Sequence, residues 1–302
     1  MKRVLTALIL APLVLLGTLR APWPIFAVAL LLLNFLAQRE LLALADPLDL
    51  RPHRRLALLA GLWLVLELSG LAGIFAIALH RAVPASLPVL GFFLPFFDPF
   101  TTLVACLVAV LLAALLRGGR LPQVLADSGW TLLAIFYPAL LLGLLAKIRV
   151  TAGAWWVLFL LLVVWLGDVA ALYIGRLCGR HRLAPRLSPA KSWEGMAASL
   201  AAALAAAGLL AHFAPAITQF LLRLDLSPFA FSRPFPLAPL LLLGLALNLA
   251  AQAGDLVESA FKRAAGVKDS GALLPGHGGL LDRLDAMLLA IPVLWYYLSL
   301  RS

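Results

Sequence analysis

The sequence predicts an all-α integral membrane protein, a polytopic helical bundle of about nine transmembrane helices. Three observations carry that reading. Of 302 residues, 64% are hydrophobic and only 13% charged, with a mean hydropathy of +1.03, a balance that a water-soluble globular chain does not show. The apolar residues fall in long Leu/Ala runs, and about 20 residues rising ~1.5 Å each cross a hydrocarbon core of roughly 30 Å. These runs are continuous, whereas barrel strands are short and alternating. Backbone groups in lipid must bond within their own segment, so each run is a helix.

In chain order the candidate spans are residues 4–19, 24–44, 56–79, 101–116, 130–146, 154–175, 196–222, 237–257 and 284–299. The first has the outline of a signal peptide, Met1-Lys2-Arg3 before Val4 to Leu16. However, Leu16-Gly17-Thr18-Leu19-Arg20 offers no small-x-small cleavage site, so it reads as a retained span. Between the third and fourth spans, Pro88, Pro95 and Pro99 break any helix, and Phe92, Phe93, Phe96, Phe97 and Phe100 cluster around them. Pro84 to Phe100 is therefore expected to be an interfacial, re-entrant segment. With the N-terminus inside, 17 of the 24 Lys and Arg residues fall in inside segments, and an odd span count puts the C-terminus outside.

The formal net charge is +10. Because the cations sit in short connectors between spans, anionic lipid headgroups or a phosphorylated substrate are the expected partners, and nucleic acid is not. Two cysteines, Cys106 and Cys178, make no disulfide framework. Glu67, alone in its span, reads as an interhelical partner.

Two inside loops are longer than minimal connectors, Arg176 to Gly195 and Lys262 to Arg283, and chemistry is expected there. The eighth span leads into the second loop with Asn248, Gln252, Asp255, Ser259 and Lys262 on one helical face. That stripe fits either helix packing, with Glu258 and Lys262 paired four residues apart, or a functional surface. The loop itself concentrates Lys262, Arg263, Lys268 and Arg283 with Asp269, Asp282 and Asp285 and the glycines Gly271, Gly276, Gly278 and Gly279. Cations and exposed amides at glycines suit phosphate oxygens. Carboxylates among them suit Mg²⁺, a hard ion that takes oxygen ligands, and no Cys/His cluster supports zinc.

Ser259 to Asp285 reads Ser-x-apolar-Lys-Arg, four residues, Lys-Asp-x-Gly, then Leu-Pro-x-His-Gly-Gly-apolar-x-Asp-Arg-apolar-Asp. This closely resembles the signature of CDP-diacylglycerol synthases, the phosphatidate cytidylyltransferases. Gly175-Arg176, Gly179-Arg180-His181 and Leu187-Ser188-Pro189-x-Lys191-Ser192-Trp193-Glu194-Gly195 are similar to the upstream block of that family. The resemblance is specific over Asp168 to Asp285 and general, in hydropathy, over the first 150 residues. One departure is Asp168-Val169-Ala170-Ala171-Leu172-Tyr173, in which the tyrosine is displaced by one position from the family's Asp-x-x-Ala-Tyr.

The resemblance implies a reaction of CTP with phosphatidate giving CDP-diacylglycerol and pyrophosphate, in phospholipid biosynthesis. It also implies Mg²⁺, with room for a second, monovalent cation such as K⁺, and a homodimer in the inner (cytoplasmic) membrane with its site facing the cytoplasm. Asp255 and Asp282 would be metal ligands, with Asp285 beside them. Lys262 and Arg263 would join them as catalytic residues, and Ser188, Lys191, Ser259, Lys268, Asp269, His277, Gly278, Gly279 and Arg283 would contact substrate. Asp168 would touch substrate or metal, or pair with Arg176, and Glu194 would be structural. On this reading Lys262→Ala weakens binding more than it harms stability. The chain divides into an N-terminal transmembrane region (1–125), a middle region with a cytoplasmic loop (126–195) and a C-terminal region carrying the catalytic loop (196–302).

Overall fold

The computed structural model describes residues 2–74, 98–226, 230–273 and 278–301. The chain runs α1 (Lys2–Arg20), α2 (Trp23–Ala43), α3 (Arg54–Leu68), α4 (Pro99–Arg117), α5 (Leu121–Thr151), α6 (Ala154–Cys178), β1 (Arg182–Ala184), β2 (Ser188–Ser192), α7 (Trp193–Arg223), α8 (Leu237–Ala264) and α9 (Leu281–Ser299). Among the described residues six helices are long and apolar enough to cross a membrane, namely α2 with its following turn and α4 to α8. The protein is thus an all-α polytopic membrane protein, and those six do not by themselves fix the expected count of nine. The expected interfacial segment lies outside the described residues as far as position 97. Its last residues start α4, where the Asp98 side chain accepts a hydrogen bond from Thr101 N at 3.0 Å and Pro99 takes the first helical position.

The fifth span is longer than its apolar run. Asp127, Ser128 and Thr131 interrupt the hydrophobic pattern, yet all three are buried and bonded. Ser128 Oγ donates to Val124 O at 2.8 Å, Thr131 Oγ1 donates to Asp127 O at 2.7 Å, and Asp127 accepts from Arg51 N at 2.7 Å. Satisfied polar groups cost the helix little, so it continues through them.

Prolines inside two helices leave carbonyls that neighbouring segments supply with donors. Pro138 sits in a π-helical turn, Ile135–Leu140, and has no N–H for the carbonyl of Ala134. Gln38 Nε2 on α2 donates to that carbonyl at 2.9 Å and to Ala57 O on α3 at 3.0 Å, tying three helices together. Pro215 in α7 likewise leaves Ala211 O free, and Phe235 N donates to it at 3.0 Å.

Arg149 near the end of α5 donates to Thr18 O (3.0 Å) and Ala21 O (3.2 Å) at the end of α1. At the opposite end of α5, Asp127 pairs with Arg117 at 3.4 Å and holds the Arg51 backbone. The connector between α6 and α7 forms a small antiparallel hairpin, with Arg182 opposite Ser192 and Ala184 opposite Ser188. Ser192 then caps α7 by accepting from Gly195 N at 3.1 Å.

α7, α8 and α9 pack through small residues, which lets backbones approach closely in lipid. A Cβ on Gly254 of α8 would stand 2.3 Å from the Asp285 carbonyl of α9. Backbone cannot yield as a flexible side chain can, so Gly254→Ala is expected to destabilise the fold by about 1–3 kcal/mol. Thermal unfolding in detergent measures this, and an unchanged midpoint contradicts the packing described.

Candidate active site

Charged and polar groups from five segments collect at one end of the bundle. The stripe on α8 divides into two parts. Its upper part is structural: Gln252 Nε2 donates to Asn248 Oδ1 at 2.6 Å, and Asn248 Nδ2 donates to Ser199 Oγ of α7 at 2.9 Å. Its lower part faces the loops. Asp255 Oδ2 lies 2.8 Å from Lys191 Nζ of β2, and Asp255 Oδ1 accepts from Ser259 Oγ at 3.4 Å. Asp168 of α6 and Asp285 of α9 are near enough to Asp255, and to each other, for their charges to interact, and Lys191 also acts on Asp168 and Lys262 on Asp285. Three carboxylates from three helices thus crowd together beside two ammoniums, Lys191 at Asp255 and Asp168 and Lys262 at Asp285. Like charges this close to hydrocarbon repel strongly, and a small cation relieves that repulsion.

One turn further along, Lys262 Nζ contacts the carboxylates of both Glu258 and Asp282, the latter at 2.6 Å. All three side chains are withdrawn from solvent, 12%, 0% and 5% exposed. Asp282 Oδ2 accepts three further hydrogen bonds, from Ser270 N (3.0 Å), Ser270 Oγ (3.1 Å) and Gly279 N (2.7 Å). Both oxygens of Asp282 are thus engaged, and the residue folds the loop around itself. Gly278 has φ +79°, and a Cβ there would meet Asp282 Oδ2 at 2.6 Å. A glycine is required on both counts.

A contact from outside the motif completes the loop. Glu40, in the last turn of α2, accepts from Leu280 N (2.9 Å), Leu281 N (2.8 Å) and Ser270 Oγ (3.0 Å). Around the rim, Arg263 Nε donates to Leu187 O at 3.1 Å, joining α8 to the hairpin turn. Lys268, Asp269 and Arg283 are exposed. Glu194 accepts from Arg180 N at 3.1 Å and lies 2.6 Å from the His181 ring, which fastens the hairpin to α7.

The family model described as "Cytidylyltransferase family" matches residues 1–301. The chain belongs to the cytidylyltransferase family. It is similar to the phosphatidate cytidylyltransferase of Staphylococcus saprophyticus, 38% identical over 168 residues, 56% of this chain and 58% of that protein. The phosphatidate cytidylyltransferase of Brucella suis is 39% identical over 175 residues, 57% of this chain and 58% of the relative. That of Bacillus subtilis is 39% identical over 150 residues, covering 50% and 49%. The matched part of the chain spans about half the length of these relatives.

In this chain the expected site residues mostly meet. Asp255, Ser259, Lys262, Asp282, Asp285 and Lys191 line one region. Ser188 pairs in the hairpin, and Lys268, Asp269 and Arg283 lie outward. His277 lies outside the described residues. The pairing of Asp168 with Arg176 is not what surrounds Asp168, whose charged neighbours are Asp255 and Lys191. The glycines do not simply leave the loop open to phosphate, because Asp282, Ser270 and Glu40 fill the space beside Gly278 and Gly279. Glu40 is the contact to this loop that sequence reasoning missed. Its one signal is an acid near a helix C-terminus, where the dipole disfavours it. Among the described residues no group of three His, Cys, Asp or Glu side chains converges closely enough to hold a metal as it stands. Nevertheless five carboxylates, Asp168, Asp255, Asp285, Glu258 and Asp282, gather around the two ammoniums of Lys191 and Lys262. That excess of oxygen donors fits a hard divalent cation.

Proposed function

We propose that the protein transfers the cytidylyl group of CTP to phosphatidate, giving CDP-diacylglycerol and pyrophosphate. The observation that carries this reading is the crowding of three carboxylates, Asp168, Asp255 and Asp285, around Lys191 and Lys262, with Arg263, Lys268 and Arg283 exposed along the segment between Asp255 and Asp285. The names and identities of the relatives support the same substrates.

Asp255 with Asp285 and Asp168 would hold Mg²⁺, leaving room for a monovalent cation such as K⁺ beside it. Bound there, Mg²⁺ would neutralise triphosphate charge and polarise the α-phosphate. Asp282, taken from the sequence as a metal ligand, has both oxygens engaged, so its role in this proposal is to fold the phosphate-binding loop.

Phosphatidate carries a phosphomonoester whose second pKa is about 6, so at pH 7 it is largely a dianion and needs no general base. One of its oxygens attacks the α-phosphorus of CTP, and a new P–O bond forms. The bond to the oxygen bridging the α- and β-phosphates breaks, and its electron pair leaves with pyrophosphate. The difficulty is repulsion between two anions. The exposed cations Lys268, Arg263 and Arg283 meet it, and Lys191 stands beside the reacting end at Asp255. The site faces the cytoplasm, where CTP is found, and the working unit is a homodimer.

Purified protein given CTP, Mg²⁺ and phosphatidate micelles is expected to release one pyrophosphate per lipid converted, with none when diacylglycerol replaces phosphatidate. Release of CDP with diacylglycerol or a polyprenol as acceptor would instead identify a lipid kinase and overturn the proposal.

A further inference from the structure

We infer that Glu40 is a positioning residue: from the N-terminal half of the chain it sets the shape of the loop that binds the phosphates of CTP, without touching either substrate. The inference rests on the function proposed above and extends it to a segment outside the signature.

α9 begins without a local side-chain cap, leaving N–H groups that need acceptors. Glu40, on α2, gives one carboxylate oxygen to Leu280 N and the other to Leu281 N, across 240 and 241 positions of sequence. The second oxygen also takes the hydroxyl of buried Ser270, which equally lies 3.1 Å from Asp282 Oδ2. A serine hydroxyl has one proton, so Ser270 joins the two carboxylates while serving one at a time. Glu40 and Asp282 thus both hold the loop, one from α2 and one from α9. An acid in the last turn of α2 is unfavourable for that helix alone, and its contacts lie instead with the positive N-terminus of α9.

The signature glycines bear the same imprint. A Cβ on Gly271 would meet Glu40 Oε1 at 2.7 Å, Cδ at 2.9 Å and Cγ at 3.2 Å, and these three Glu40 atoms are its nearest neighbours. A Cβ on Gly279 would meet Glu40 Oε2 at 2.4 Å, but also Ser270 Oγ at 2.2 Å and the backbone of Gly271 at 2.7 Å. The glycine at 271 is therefore explained by Glu40, whereas the one at 279 is explained by the whole turn. A loop so fixed carries Lys268 at one end and Arg283 at the other, and its geometry determines how both meet a triphosphate.

The test is a double-mutant cycle of E40A and G271A in the full-length protein, read by hydrogen exchange of the backbone amides of residues 268–282 and by KM for CTP. Each single variant is expected to speed exchange in this loop and raise KM for CTP about tenfold, with a smaller change in kcat. In the E40A background, G271A adds nothing, because the atoms it strikes are gone. E40Q keeps the length and one acceptor, and restores part of the protection. A purely structural Glu40 would lower the unfolding temperature and leave KM alone, which overturns the inference. Additive effects in the cycle, or wild-type exchange in E40A, also overturn it. Should E40A not fold, E40Q and G271A alone carry the same readouts. If wild-type protein made no CDP-lipid, the proposed function would fail while the exchange data still decided whether Glu40 shapes the loop.

Discussion

Asp255→Asn is expected to lower turnover of CTP with phosphatidate by about 10³-fold, the scale of losing a main electrostatic contact to the reacting phosphates, while the protein inserts and purifies normally. The stability half of this result follows from charge. Asp255 stands among carboxylates that repel it, and its side chain is 39% exposed with Lys191 as its cation. Removing its charge relieves Asp168 and Asp285, so without added metal the unfolding midpoint stays level or rises. The catalytic half follows from the same crowding: an amide is a poorer ligand for a hard divalent ion than a carboxylate. The signature of the variant is therefore lost activity together with lost stabilisation by Mg²⁺, which ligand linkage would otherwise provide. Initial rates and melting curves at graded Mg²⁺ measure both. Near-normal rates at limiting Mg²⁺ reject the assignment of Asp255 as a ligand.

Lys262→Met is expected to act in the opposite order, on stability before chemistry. The sequence alone suggests a phosphate-binding lysine whose loss weakens affinity. The structure places its ammonium between Glu258, fully buried, and Asp282, nearly so. Removing one partner from a buried charge cluster strands the others, at a cost of about 3–5 kcal/mol. An exposed pair such as Arg20 with Asp225, whose side chains are 64% and 94% exposed, is worth roughly 0–1 kcal/mol by comparison. Lys262→Met is thus expected to reduce folded yield and the unfolding midpoint sharply. The double variant Lys262→Met with Glu258→Gln recovers part of the loss, because a neutral side chain no longer needs the lysine. Thermal denaturation beside CTP-binding measurements separates the two orders. A normal midpoint with weakened CTP binding contradicts the buried-cluster account.

These two residues show what the sequence can and cannot reveal. The helical class was legible because lipid leaves a chain few choices, and the runs of Leu and Ala record that constraint directly. The stripe Asn248 to Lys262 was legible as one face, since helical geometry fixes which residues share a side. What that face meets was not legible, because it depends on partners far away in the chain. Asn248 turned out to bond Ser199, which makes the upper stripe a packing feature. Asp282 reads in sequence like any aspartate of a metal motif, and its ring of donors exists only once residues 270 and 279 fold over it. The partners of Glu40 were hidden for the same reason, as nothing near it in sequence belongs to the loop it holds. The extension of α5 over Leu121–Thr151 was hidden by Asp127, Ser128 and Thr131, whose bonds neutralise a polarity that the hydropathy profile counts as a break.

The most direct test of the account uses CTP labelled separately at its α- and γ-phosphorus, incubated with the purified protein, Mg²⁺ and phosphatidate. The account predicts that the α label enters chloroform-soluble lipid while the γ label leaves in pyrophosphate, with both movements stopping when Mg²⁺ is chelated. Lipid carrying the γ label, or no transfer of either label, would contradict it.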